Sequence, residues 1–182
     1  MNSSALKTLM LALVGGWGCT LATQAQTFTN GNSALPSTYN SGGCVGFADL
    51  DGDSYDDLII LDQSRVLHTL YQAPNGTFTD FNLGNVSGSS QWGMCVGDFD
   101  NDGHKDVFSG GSYDGVHLMH ITAPGQGNLQ SLGNGSMFMQ ACNMADIDQD
   151  GVLDVFACHD DAVSRLWNCL LYTSPSPRDN RV

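Results

Sequence analysis

The chain has 182 residues and a formal charge of -13, from 19 acidic and 6 basic side chains, and every acid in it is Asp. Such a surface repels nucleic acid and anionic membranes, which are bound through Lys and Arg, and leaves cations as the natural partners. Val, Ile, Phe, Leu and Trp are too frequent between the acidic stretches for a disordered acidic chain, so a folded domain is expected.

Lys7, the apolar stretch 9–14 and the small and polar residues 22–26 have the layout of a secretory signal peptide over residues 1–25, with cleavage after Ala25. The product is expected to be secreted or held at the cell surface. Cys19 offers a lipoprotein-type alternative that Trp17 fits badly. The apolar core is too short to span a bilayer and nothing later is longer, so no transmembrane segment is expected. Residues 26–40 read as a lead-in.

Next comes one acidic phrase, written three times. Its first copy is Asp49, Asp51, Asp53 and Asp57, its second Asp98, Asp100, Asp102 and Asp106, and its third Asp146, Asp148, Asp150 and Asp154. The copies begin 49 and 48 residues apart, the period of a propeller blade. Apolar runs precede each copy (44–48, 94–97, 141–145) and β-forming runs follow it (58–61, 107–108, 155–158). A third strand is expected at 66–71, 116–121 and 163–167. The turn signals Asn75-Gly76 and Asn134-Gly135 lead toward a fourth, clearest at 78–83. The fold class is therefore all-β: a partial β-propeller of about three four-stranded antiparallel blades, over 41–89, 90–137 and an incomplete 138–168.

Calcium takes six to eight oxygens, which a loop supplies when carboxylates alternate and the backbone curls around the ion. Asp at positions 1, 3, 5 and 9 meets that need, with a main-chain carbonyl at position 7 from Tyr55, His104 and Val152. Three structural Ca2+ sites are expected. Position 6 calls for a left-handed residue, supplied by Gly103 and Gly151 but by Ser54 in the first loop. Non-glycine residues pay about 1 kcal/mol there, so the first site is expected to be the weakest. An EF-hand is excluded, because it needs Glu at position 12 and flanking helices, whereas Ile60, Ser109 and Ala157 stand there within strand formers. Magnesium suits the loops less, preferring a small rigid octahedron.

FADLDGDSYDDLIILD, VGDFDNDGHKDVFSGG and MADIDQDGVLDVFACHDD resemble the FG-GAP and VCBS repeats of integrin α-chain heads and of many secreted bacterial proteins. The resemblance implies propellers of about seven blades, with calcium held in the loop joining the first two strands of each blade. Ser54 departs from the pattern. So does the lack of a literal Phe-Gly and Gly-Ala-Pro pair, which points to the broader VCBS group.

Cys142 lies four residues before Asp146 and Cys158 four after Asp154, so a hairpin closed by the third loop would set them face to face. A disulfide and buried free thiols both stay open there, as for Cys44 and Cys95. His68, His104, His117, His120 and His159 sit in no nucleophile or zinc-protease setting. Asp62, Asp80, Asp114, Asp160 and Asp161 remain as solvated turn residues. Trp92, Trp167 and Tyr71 suit either blade packing or stacking on sugars. Asn75, Asn85 and Asn134 head glycosylation acceptors that matter only in a eukaryotic host.

Finally, CLLYTSPSPRD at 169–179 resembles the in-frame translation of a transposase-type sequencing adapter, so 169–182 is expected to be an artefact and the gene to be cut after Asn168. The function expected is a non-catalytic adhesion or ligand-binding module with an extracellular protein or carbohydrate partner. The alternatives are the propeller part of a carbohydrate-active enzyme or lectin, or an acidic spacer, which the apolar strands oppose.

Overall fold

The computed structural model describes residues 28–167 except 134 and 161. The signal peptide (1–25), the adapter-like tail (169–182), Asn134 and Asp161 lie outside the described residues. All strands belong to the unit that starts at Gly31, and the only helical turn among the described residues is a 3₁₀ segment, Asn32–Ala34.

Among the described residues eleven strands form three antiparallel sheets, each a blade of a partial β-propeller. The first contains β1 (Val45–Ala48), β2 (Asp57–Asp62), β3 (Val66–Gln72) and β4 (Phe78–Asn85), in that spatial order. The second contains β5 (Gln91–Gly97), β6 (Asp106–Gly111), β7 (Val116–Ala123) and β8 (Gln126–Ser131). The third contains β9 (Met139–Ala145), β10 (Asp154–His159) and β11 (Arg165–Trp167), with β10 in the middle. In every blade the acidic phrase links the first strand to the second.

Side chains alternate across a strand, so a sheet covered on both faces must be apolar on both. Strand β6 meets this condition, with all six residues buried. Val107 packs with Ile59, Leu61, Leu67 and Ile121 between blades 1 and 2, while its neighbour Phe108 packs with Leu118, Met139 and Val155 between blades 2 and 3. The first strands approach closely, β5 lying against both β1 and β9. Gly93 allows this approach, since a Cβ there would sit 2.8 Å from Met139 Cε and 3.0 Å from Ala141 Cα.

Three expectations need correction. Cys142 stands opposite Ala157 and Cys158 opposite Ala141, so the two thiols leave opposite faces of the hairpin and both are free. Cys142 instead lies beside Cys95 of the neighbouring blade, whose hydrogen-bonded thiol, together with burial, pushes it up in pKa. The fourth strand of blade 2 is Gln126–Ser131, exposed throughout, and it precedes the Asn134-Gly135 turn instead of following it. Val163 is 85% exposed and lies before β11, because Arg165 is the first residue to pair with β10.

Candidate metal centre

The three acidic loops share one hydrogen-bond scaffold. The position 1 carboxylate accepts from the position 6 N–H: Ser54 to Asp49 at 2.9 Å, Gly103 to Asp98 at 3.2 Å, and Gly151 to Asp146 at 3.0 Å. The position 3 carboxylates Asp51, Asp100 and Asp148 accept from the N–H of Asp53, Asp102 and Asp150. Those position 5 carboxylates in turn accept from the N–H of Tyr55, His104 and Val152 at position 7. Each Asp thereby curls the backbone into local turns, which is why short acidic side chains are needed at alternate positions.

Position 9 works differently. Asp57, Asp106 and Asp154 are each only 1% exposed. Each accepts from the N–H of position 2, respectively Leu50, Phe99 and Ile147, at 2.9 to 3.0 Å. Asp57 also accepts from Gln72 N–H at 2.8 Å and Asp106 from Ile121 N–H at 2.9 Å, which ties the loop to the third strand. Burial raises the pKa of Asp57, partly offset by its backbone hydrogen bonds. Burial likewise pushes Asp106 up to about 6, against the lowering effect of its two backbone bonds, while the charge of Asp100 adds to the rise.

Donor oxygens within 4.8 Å of one another come from Asp49, Asp51 and Asp53 in loop 1, from Asp98, Asp100 and Asp102 in loop 2, and from Asp146, Asp148 and Asp154 in loop 3. A further group in loop 2 joins Asp100 and Asp106 to His120. Asp57 in loop 1 and Asp150 in loop 3 stand outside these closest groups. Asp98 Oδ1 is buried without a hydrogen-bond partner, and the nearest base, Lys105 Nζ, is 3.9 Å from Asp98 Oδ2. A buried carboxylate oxygen left in this state fits a cation.

Backbone angles change the comparison between loops. Position 6 is left-handed in all three, with φ of 74° at Ser54, 95° at Gly103 and 94° at Gly151. Position 4 is left-handed as well, with φ of 80° at Gly52, 58° at Asn101 and 63° at Gln149. Each loop thus has one glycine for two left-handed positions, and Ser54 does not set the first loop apart. Asn tolerates this region better than Ser or Gln, so loop 2 is the least strained. Asn101 also donates from Nδ2 to the carbonyl of Gly151 at 2.8 Å, joining loops 2 and 3.

The third strand contributes residues that the loop pattern does not reveal. Tyr71 and His120 each lie 14 positions after the last Asp of their loops, and that constant spacing is their sequence signal. The remaining aspartates are largely structural. Asp80 accepts from the Tyr39 hydroxyl at 2.9 Å and lies 2.8 Å from His68 Nδ1, Asp62 accepts from Asn40 N–H, and Asp114 accepts from Ser87 Oγ and Gly88 N–H. Asp62 and Asp80 are thus half-buried strand residues, while Asp114 and Asp160 are exposed at bends as expected.

A family model described as an FG-GAP-like repeat matches residues 49–109 and 98–157. Both matches begin at the first Asp of a loop and run past the next one. No curated protein matches the chain.

Proposed function

Because the chain belongs to the FG-GAP-like repeat family, we propose that it is a calcium-stabilised propeller module of an exported protein, with a non-catalytic role in adhesion or ligand binding. The buried, unpartnered Asp98 Oδ1, set within a scaffold repeated in three loops, is the observation that carries the reading. In each loop one carboxylate is almost fully buried beside others, and that arrangement needs a counter-charge. Calcium supplies it through oxygen coordination alone, without redox chemistry. Positions 1, 3, 5 and 9 provide carboxylates, and Tyr55, His104 and Val152 provide position 7 carbonyls.

Ligand binding is assigned to the blade end away from the acidic loops. Tyr113 and Trp92 gather there around Phe138, with ring centroids 5.2 and 6.1 Å from it, and Trp92 and Tyr113 are each 51% exposed. An open cleft of about 500 Å³ beside Tyr113 is lined by Ser136, His159, Val163 and Arg165. Exposed aromatics beside polar donors suit a carbohydrate as well as a protein, which keeps the lectin reading as the second one. No described helix is long and apolar enough to cross a membrane.

Calorimetric titration of the purified chain with CaCl2 tests the proposal. Heat of binding and a melting temperature lowered by chelator are expected. No heat, together with a melting temperature indifferent to chelator, would remove calcium from the account.

A further inference from the structure

His120 gives the second blade a feature the first blade lacks. One step beyond the Val107–Met119 pair in the ladder, it stands beside Asp106, with Nδ1 3.8 Å from Asp106 Oδ2 and 3.4 Å from Asp100 Oδ2. Its Nε2 lies 3.2 Å from Gln130 Oε1 of β8. With Nε2–H donating to that oxygen, the Nδ1 lone pair faces the carboxylates, and Nδ1 is buried with no hydrogen-bond partner. Phe99 meets the ring edge-on at 6.4 Å and holds its orientation.

An imidazole with one N–H given to a carbonyl and the other nitrogen bare toward carboxylates has the arrangement of a metal-ligating histidine. The same position in blade 1 is Tyr71, one step beyond the Leu58–Leu70 pair, whose hydroxyl is also buried without a hydrogen-bond partner of good geometry. Blade 1 therefore offers oxygen alone, while blade 2 offers oxygen and nitrogen. Nitrogen donors favour zinc and its neighbours over calcium.

We propose that the second blade also accepts a borderline divalent metal of the zinc class, in exchange for calcium, through His120 Nδ1, Asp100 and Asp106, a choice that the all-oxygen site of blade 1 does not offer. This rests on reading the acidic loops as cation sites.

The experiment is a zinc titration of the purified, calcium-free chain, with calcium titrated separately, for wild type and His120→Tyr, which installs the residue blade 1 already carries. Zinc affinity is expected to fall at least about tenfold in the variant, the loss typical of a removed metal contact, while calcium heats are unchanged. In wild type, the ¹⁵N resonance of His120 Nδ1 is expected to shift on adding zinc, a readout independent of the variant's folding. Superimposable zinc isotherms, or an unmoved Nδ1 resonance, overturn the proposal. Zinc binding lost in His120→Tyr with no calcium heat in either protein supports it and removes only the calcium reading.

Discussion

Asp106→Ala separates the two roles a position 9 carboxylate plays. The substitution leaves the N–H groups of Phe99 and Ile121 without their acceptor, at a cost of about 1–3 kcal/mol each when buried. It also removes a desolvated charge. Asp106 is pushed up to about 6 from an ordinary value of 3.8, so its ionisation at neutral pH opposes folding by about 3 kcal/mol. In chelator these effects partly cancel, and the net change is expected to lie between a gain of about 1 and a loss of about 3 kcal/mol. With calcium a hundredfold above the dissociation constant, wild type gains about 2.7 kcal/mol from an occupied site that the variant lacks. Urea unfolding followed by tryptophan fluorescence, in chelator and in calcium, measures both quantities. The destabilisation should be larger in calcium by about 2–3 kcal/mol. An equal loss in the two buffers would mean that Asp106 only braces the backbone.

The same carboxyl sets a pH dependence. Its folded pKa lies above its unfolded value, so in metal-free protein the stability it contributes is full below pH about 4 and is lost as pH rises through about 6. Calcium must displace that proton, so calcium titrations should give weaker binding in loop 2 at pH 5 than at pH 7.5; equal affinities would count against the buried site. Gln149→Gly should raise the melting temperature by relieving a left-handed glutamine, by up to about 1 kcal/mol, whereas Asn101→Gly should lower it through loss of the bond to Gly151. Gly93→Val should destabilise by about 1–3 kcal/mol or more, because its Cβ would press on the Ala141 backbone. Peptide mapping without reductant should find no Cys142–Cys158 link, and finding one would refute the register of β9 on β10.

The blades and their loops were legible because two periodicities coincide. Spacing of about 49 residues marks the repeat, and apolar runs around each loop mark strands β1, β2, β5, β6, β9 and β10. Strand β8 stayed hidden because Gln126–Ser131 is exposed at every residue, so nothing in its composition alternates. The second left-handed position was hidden for another reason. Gly52, Asn101 and Gln149 share a backbone conformation without sharing a residue type, and a pattern read by residue type cannot register it. The face-to-face placement of Cys142 and Cys158 missed by a single residue, since the ladder shifts only after Cys158, and a step of one reverses the face of a strand.

Charge and burial together favour the proposed cation sites over ordinary acidic turns. A solvated turn leaves its carboxylates in water, where their repulsion is weak. Here the last Asp of each loop is nearly inaccessible and tied to backbone N–H groups, so it cannot swing out to escape its neighbours. Protein bases do not balance that charge: the strong bases among the described residues are Arg65, Lys105 and Arg165, and of the first two Arg65 donates to the Gly88 carbonyl while Lys105 lies 3.9 Å from Asp98. Beside loop 2 the imidazole of His120, from β7, likewise lacks a partner on Nδ1. A divalent ion answers both demands at once, as one charge centre for the carboxylates and one acceptor for the nitrogen lone pair. Cation binding and formation of the hairpin that carries the loop should therefore be one cooperative event, with each blade folding around its own ion.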